Sequence, residues 1–230
     1  GPKGYVISWV ERELNQLGFT DEQLMIGGYI IKTTLVKDAQ EAAVAAVNKE
    51  APTKAPENLH IGLVAIKPGT GEILAMYGGQ DYLKYQFNAA TQGITSGGSS
   101  FKAFTLVAAL EEGIPLSSIW NGDSPKVYDD GIGRPYQVNN YGGEGWGNMS
   151  LLTATEKSVN TIYVPLGMKA GLEKVVDVAR RAGIPDAIEM VASPSVSLGA
   201  ASPHVIDLAN AYATFAAQGV YAKPFIINEV

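Results

Sequence analysis

Ser99 and Lys102 are the residues of this sequence whose types and spacing best suit nucleophilic chemistry. They stand three residues apart at the start of an apolar segment, residues 99–112, which is predicted to be a helix. Residues three apart share one face of a helix, so the serine hydroxyl and the lysine amine would lie side by side. Burial in an apolar helix would lower the pKa of the lysine and allow its neutral amine to act as a base.

The same residues also suit a purely structural role. Ser99 or Ser100 could cap the helix, and Lys102 could extend its amine to water. The Ser-x-x-Lys spacing alone discriminates poorly, because a chain of this length is expected to contain such a pattern by chance. Its position favours chemistry, since it follows Gly97 and Gly98 and opens a helix, where unpaired backbone N–H groups can bind an oxyanion.

A second candidate pattern is Ser158-Val159-Asn160, at a break between two predicted helices. In a functional interpretation, Ser158 relays a proton and Asn160 holds an amide of the substrate. In a structural interpretation, the two residues end one helix and begin the next, which both residue types suit. The pattern alone leaves both interpretations open.

Composition excludes several other classes of site. The chain has 230 residues, no cysteine and a net charge of −6, which disfavours thiol chemistry, disulfide scaffolds and generic nucleic-acid binding. The two histidines, His60 and His204, lie far apart in different contexts, and we expect both to be structural. A Ser-His-Asp triad and a metal site are therefore not predicted, and no apolar run approaches the roughly 18 residues of a membrane span.

The elements that would position these residues follow from periodicity and from helix breakers. Two strands flanking Pro68-Gly69-Thr70-Gly71, residues 60–67 and 72–77, are predicted to form a hairpin. Residues 50–58 read as a connector, and residues 78–98 and 121–148 as long irregular stretches. Further strands are predicted at residues 27–35 and 221–230. Helices are predicted at residues 5–17, 38–47, 99–112, 151–157, 161–169, 172–182 and 202–217. The last of these helices would have Ser202 as its N-cap and Pro203 at its first helical position.

Four stretches resemble the transpeptidase region of class A penicillin-binding proteins, and together they cover nearly the whole chain. Residues 78–113 resemble the segment that leads into the family's nucleophile, and residues 140–164 the segment around its second motif. Residues 27–47 resemble the linker before the domain, and residues 197–225 the helix and strand that follow. Ser-x-x-Lys and a Ser-x-Asn-type pattern are the first two motifs of this superfamily.

The resemblance implies a fold and a domain division. The fold would be α/β of the α+β type, with an antiparallel sheet flanked by helices and a helical subdomain, as in β-lactamases and transpeptidases, and incomplete in this chain. Residues 1–56 would be the linker region, and residues 57–230 the N-terminal and central part of the transpeptidase domain.

The resemblance also implies a reaction and a role for each residue. Ser99 would be the acylated nucleophile, Lys102 its general base, Ser158 the proton relay to the leaving group, and Asn160 the ligand of the substrate amide. The substrate would be a peptidoglycan stem peptide ending in D-Ala-D-Ala, which is cross-linked to a neighbouring amine in the bacterial cell wall. β-Lactams would acylate Ser99 as mimics of the scissile amide. No cofactor, metal or nucleic acid is implied.

One expected motif is missing, since the sequence contains no Lys-Thr-Gly or Lys-Ser-Gly. We therefore expect these residues to be one piece of a longer protein, with a companion C-terminal fragment that carries this motif. If the parent protein is bifunctional, its glycosyltransferase domain would lie outside these residues. The parent protein is expected to act outside the cytoplasm, anchored to the membrane by a segment not in this chain.

Three other functions compete with transpeptidation. A D,D-carboxypeptidase or a β-lactamase of the same fold would hydrolyse the acyl-enzyme, although no Glu-x-x-Asn segment of the class A β-lactamase kind follows Asn160. A β-lactam sensor would be acylated without turnover, and the linker-like residues 27–47 argue against it. In a structural protein, Ser99 would only cap a helix and would form no adduct.

Overall fold

Two units make up the chain in this computed structural model, which describes residues 1–54, 56, 58–130 and 132–230. Unit 1 consists of residues 1–94 and 204–230, and unit 2 of residues 95–203. The helices are α1 (Lys3–Gln16), α2 (Asp21–Ile26), α3 (Lys37–Glu50), α4 (Lys102–Glu111), α5 (Leu151–Glu156), α6 (Asn160–Ala170), α7 (Leu172–Ala182) and α8 (Val205–Ala216). The strands are β1 (Lys32–Thr33), β2 (Leu63–Ile66), β3 (Ile73–Tyr77), β4 (Ile119–Asn121), β5 (Lys126–Asp129), β6 (Pro135–Val138), β7 (Asn148–Ser150) and β8 (Ile227–Glu229).

Unit 1 is built around the β2–β3 hairpin, which confirms the predicted turn at residues 68–71. The strands pair in antiparallel register, and β1 pairs with β8 in the same sense. The core consists of apolar side chains from the hairpin, from the segment that follows it, from α8 and from the segment before β8, namely Ile73, Met76, Ala90, Ile206 and Ile226. The α1 helix packs Val6, Trp9 and Val10 against this core, as its apolar spacing predicts.

In unit 2, other helices pack around α4. The α4 helix packs against α6 and α7, and a short 3-10 turn at Pro194–Leu198 packs against α4, α6 and α7. Phe104, Thr105, Ala108 and Ala109 of α4 are fully buried, which explains why its sequence is apolar on nearly every side. The described strands pair as β4–β7 and β5–β6, both antiparallel, so the predicted mixture of helices with antiparallel strands is confirmed.

Three predicted elements were wrong in extent. Of the predicted strand 221–230, only Ile227–Glu229 forms a strand. Only Lys32 and Thr33 of the predicted strand 27–35 pair with another strand, and Tyr29 and Ile30 are exposed. Residues 121–148 contain the hairpin β5–β6 and parts of β4 and β7, although they were predicted to be irregular. Their many Gly, Asn and Asp residues obscured short strands that are stabilised by pairing, and Gly131 within this stretch lies outside the described residues.

The predicted start of the last helix was also wrong. The α8 helix begins at Val205, and its N-cap is His204 instead of Ser202. The backbone N–H of His204 donates to Asp207 Oδ2 at 3.0 Å, and the Ile206 N–H donates to the Ala90 carbonyl at 3.0 Å. One acceptor, Asp207, lies three residues after His204, and the other, the Ala90 carbonyl, belongs to another segment of the chain. Together these two acceptors determine where the helix begins.

The predicted domain division at residues 56 and 57 stays a prediction. Glu57, where the second domain would begin, lies outside the described residues, as does Ala55 of the predicted connector. Within the described ranges, no helix has both the length and the apolar character needed to span a bilayer.

Candidate active site

Ser99 lies in a 3-10 turn, Gly98–Phe101, that leads directly into α4. Its side chain is exposed, and its hydroxyl contacts Lys102 one turn further on. The neighbouring Ser100 donates from its hydroxyl to the Gly97 carbonyl at 2.5 Å. The two serines therefore have different roles. Ser100 stabilises the turn, whereas Ser99 is exposed to solvent and its hydroxyl contacts the lysine amine.

The Lys102 amine is the point where the predicted residues meet. Its Nζ lies 2.9 Å from Ser99 Oγ, 2.8 Å from both Ser158 Oγ and the Ser158 carbonyl, and 2.6 Å from Asn160 Oδ1. The structure thus brings together all four residues singled out from the sequence. Two of these contacts join residues 56 and 58 positions apart in the chain.

Burial changes the acid–base character of Lys102. The residue is only 5% exposed, and this loss of solvation lowers its pKa from 10.5 to about 8. The ring of Tyr163 lies 5.6 Å from Nζ, within reach of a cation–π contact. A lysine with a pKa near 8 has a usable population of neutral amine at physiological pH, which an ordinary surface lysine lacks.

Ser158 and Asn160 occupy the break between α5 and α6, as predicted. Ser158 follows the end of α5 and has a left-handed backbone with φ 54°, which is uncommon for a residue with a side chain. Asn160 is the first residue of α6. This sharp turn directs both the carbonyl and the hydroxyl of Ser158 to the same amine, an arrangement that a continuous helix would not allow.

The segment before Ser99 is held by a second glycine-containing segment. The Gly97 N–H donates to the Ala201 carbonyl at 2.8 Å, and the Gly98 N–H to the Gly199 carbonyl at 3.2 Å. Ser96 Oγ donates to the same Gly199 carbonyl at 2.5 Å. Gly199 has φ +76°, and a Cβ there would overlap the backbone N and O of Gly98. A side chain at position 199 would therefore displace the turn that carries Ser99.

Gly199→Ala is expected to destabilise the protein more than Gly113→Ala does. Gly113 also has φ +76°, but a Cβ there would meet no atom within 4 Å. Gly113→Ala therefore measures the cost of a positive φ alone, without a steric overlap. The difference between the two free energies of unfolding should be about 1–3 kcal/mol, the typical effect of overpacking. Denaturant unfolding of both variants would measure it, and equal losses would show that Gly98 moves aside freely.

Sequence reasoning missed two contributors to this site. The Asn139 carbonyl accepts from Asn160 Nδ2 at 2.9 Å, and the Tyr163 ring contacts the lysine amine. A backbone acceptor has no residue-type signature, so no pattern could have revealed Asn139. Tyr163 lies three residues after Asn160 on α6, and this helical spacing was the available signal. In the described part of the chain, no three metal-ligating side chains cluster.

Comparison with known proteins identifies relatives over the whole chain. The family model described as the penicillin binding protein transpeptidase domain matches residues 61–230. The chain is 37% identical to penicillin-binding protein 1A of Mycobacterium tuberculosis and 38% identical to penicillin-binding protein 1A of Mycolicibacterium smegmatis. All of the chain is covered in both cases, with 29% and 30% of the relatives. The chain thus spans less than a third of the length of these curated relatives.

Solved structures show the same fold. PonA1 of Mycobacterium tuberculosis superimposes with a TM-score of 0.86 at 36% identity, covering 99% of this chain and 60% of that one. A structure of PonA1 in complex with penicillin V gives a TM-score of 0.85, also at 36% identity, with 99% and 62% of the two chains covered. These similarities confirm the predicted transpeptidase-like fold, of which the chain contains a part.

Proposed function

Because the chain belongs to the penicillin-binding protein transpeptidase family, we propose that it forms the nucleophile-bearing part of a serine D,D-transpeptidase. The substrate would be a peptidoglycan stem peptide ending in D-Ala-D-Ala. One observation carries the proposal: a buried lysine amine lies 2.9 Å from the hydroxyl of the exposed Ser99. This is the arrangement that an activated serine nucleophile requires.

The contacts of Lys102 suit a proton acceptor whenever its amine is neutral. Four oxygens surround Nζ. A neutral amine has two N–H donors, for which the Ser158 carbonyl and Asn160 Oδ1 are acceptors, and one lone pair that can accept from one of the two hydroxyls at a time. The lone pair can thus accept a proton from Ser99 Oγ or exchange one with Ser158 Oγ.

Acylation then follows in two proton-balanced steps. Lys102 takes the hydroxyl proton as Ser99 Oγ attacks the carbonyl carbon of the penultimate D-Ala, and N–H groups at the start of the helix bind the oxyanion. The lysine returns the proton through Ser158 Oγ to the departing amine. The C–N bond breaks, D-Ala leaves, and Ser99 carries the acyl ester.

Transfer reverses these roles with a new nucleophile. An amine of a neighbouring stem peptide attacks the ester and gives its proton to Lys102 by way of Ser158. The ester C–O bond breaks, and Lys102 passes the proton to Ser99 Oγ, which restores the free serine. Asn160 has one Nδ2 hydrogen bonded to the Asn139 carbonyl, and we assign the other to the substrate amide. β-Lactams would acylate Ser99 by the same steps. This assignment is supported by the similarity to PonA1, whose complex with penicillin V is known.

The site requires groups that these residues do not include. No Lys-Thr-Gly or Lys-Ser-Gly occurs in the sequence, and we propose that a companion segment of the same protein supplies this third motif. We further propose that the protein acts outside the cytoplasm, where peptidoglycan is cross-linked. The term "complete protein" below means this chain together with that segment.

Intact mass spectrometry under denaturing conditions tests the proposal. The complete protein is incubated with penicillin V, and the mass of the polypeptide that contains Ser99 is compared with that of an untreated sample. We expect an increase by one penicillin, which peptide mapping assigns to Ser99. An unchanged mass after prolonged exposure would contradict the proposed function.

The acylation rate is expected to rise with pH through the pKa of Lys102. With a pKa of about 8, the neutral amine makes up about one part in a hundred at pH 6, one in ten at pH 7 and half at pH 8. The rate constant should therefore increase roughly tenfold per pH unit below pH 7 and level off above pH 9. Stopped-flow acylation by a chromogenic β-lactam across this range would measure it. A flat profile would exclude titration of a base in this range.

A further inference from the structure

We propose that Asn140 is a positioning residue for the catalytic lysine, acting through the start of α6; this inference rests on the proposed function. Asn140 is 5% exposed, and its side-chain amide is fully engaged. Its Nδ2 donates to the carbonyls of Gly122 at 2.9 Å and Glu144 at 2.8 Å. Its Oδ1 accepts from the backbone N–H of Thr161 at 3.0 Å and from Thr161 Oγ1 at 3.2 Å.

The start of α6 lacks a cap of its own. Its N-cap residue is Val159, which has no side-chain oxygen to accept from the first N–H groups of the helix. Asn140 supplies the missing acceptor from a segment 21 residues earlier. The position of the first turn of α6 is therefore set by Asn140, not by the residues of the helix itself.

Asn160 links the first turn of α6 to the amine of Lys102. It is the first residue of α6, next to Thr161, and its Oδ1 accepts from Lys102 Nζ at 2.6 Å. Its Nδ2 donates to the carbonyl of Asn139, the neighbour of Asn140. Residues 139 and 140 thus hold both the backbone and the side chain of the turn that faces Lys102.

This arrangement predicts effects beyond folding. A shift of α6 would lengthen the contact between Asn160 Oδ1 and Lys102 Nζ, which would change both the rate and the pH dependence of acylation. Substitution of a residue needed only for folding would change neither the rate of acylation nor its pH dependence once the protein is folded. Asn88 provides the comparison, since it is a buried asparagine of unit 1 whose Oδ1 also accepts from a backbone N–H, that of Ala90.

The test compares Asn140→Ala, Asn140→Asp and Asn88→Ala in the complete protein, below the unfolding temperature of each variant. We expect Asn140→Ala to acylate with penicillin V roughly 10- to 100-fold more slowly, the range that misplacement of a catalytic group produces. The midpoint of its pH profile should fall, because the ammonium form of Lys102 loses an amide acceptor. Asn140→Asp keeps the acceptor for Thr161 and should lose less, whereas Asn88→Ala should keep both the rate and the midpoint.

The role of Asn140 can be contradicted by several results of this test. Unchanged rates and midpoints in both Asn140 variants would overturn the inference, as would equal changes in Asn88→Ala. If Asn140→Ala does not fold, the rate of Asn140→Asp decides. This variant loses both Nδ2 hydrogen bonds, so it should still acylate more slowly than the unsubstituted protein, and an unchanged rate would overturn the inference. Absence of acylation in the unsubstituted protein would instead contradict the proposed function, so the two failures are distinguishable.

Discussion

Ser99→Ala is expected to abolish covalent modification by penicillin V completely. The substitution removes the exposed hydroxyl that lies 2.9 Å from the buried amine in the 3-10 turn leading into α4. Ser158 Oγ is also close to Nζ, but it lies at a strained turn and not at the helix start whose N–H groups would bind the oxyanion. Intact mass spectrometry should show no adduct, whereas the unsubstituted protein gains one penicillin.

The stability of this variant should change little. Ser99 is exposed, and the loss of one hydrogen bond to Lys102 is worth about 1 kcal/mol. Ser100→Ala is the matched control, because Ser100 neighbours Ser99 in the same turn but bonds to the Gly97 carbonyl. It should keep its adduct. An adduct on Ser99→Ala, or its loss in Ser100→Ala, would refute the assignment of the nucleophile.

The local part of this site could be predicted from the sequence alone. Helical spacing fixes the distance between residues three apart, so a contact between Ser99 and Lys102 followed from the predicted helix. The apolar neighbours Phe101 and Phe104 likewise indicated that the lysine would be buried and its pKa lowered. Both expectations depend only on the helix and on its composition, and both agree with the structure.

The long-range part could not be derived from local patterns. Ser158 and Asn160 reach Lys102 across 56 and 58 residues, and only the resemblance to a family implied that they meet. The capping of α6 by Asn140 is also tertiary, because Val159 gives no local sign that another segment supplies the acceptor. Propensity describes what a segment does alone, whereas these contacts depend on how separate segments pack.

The error at α8 has the same origin. Ser202 and Pro203 form a typical helix start, and the local pattern therefore favoured them. The Ile206 N–H instead finds the Ala90 carbonyl, and Asp207 accepts from the His204 backbone, so the helix begins two residues later. Element type was thus predictable here, whereas the exact boundary depended on which acceptors lay nearby.

Lys102→Met is expected to slow acylation about 100- to 10,000-fold, the range for loss of a general base. Methionine has a similar length and suits an apolar helix, but it cannot take a proton from Ser99. Loss of the amine leaves the Ser158 carbonyl and Asn160 Oδ1 without its donor, at a cost of about 1–3 kcal/mol, which removal of a desolvated amine partly offsets. We therefore expect a folded protein, verified by its thermal unfolding, with a very slow reaction.

Lys102→Arg separates basicity from charge. A guanidinium keeps the positive charge but stays protonated, so it cannot accept the Ser99 proton, and the rate should fall as it does with methionine. Lys157→Met is the control for removing a neighbouring lysine, because Lys157 stacks on the Trp146 ring at 4.5 Å and should leave the rate unchanged. A rate preserved in Lys102→Arg would mean that the site needs a cation and not a base. Loss in both Lys102 variants together with the rise of the wild-type rate through pH 8 would be explained only by proton transfer to Nζ.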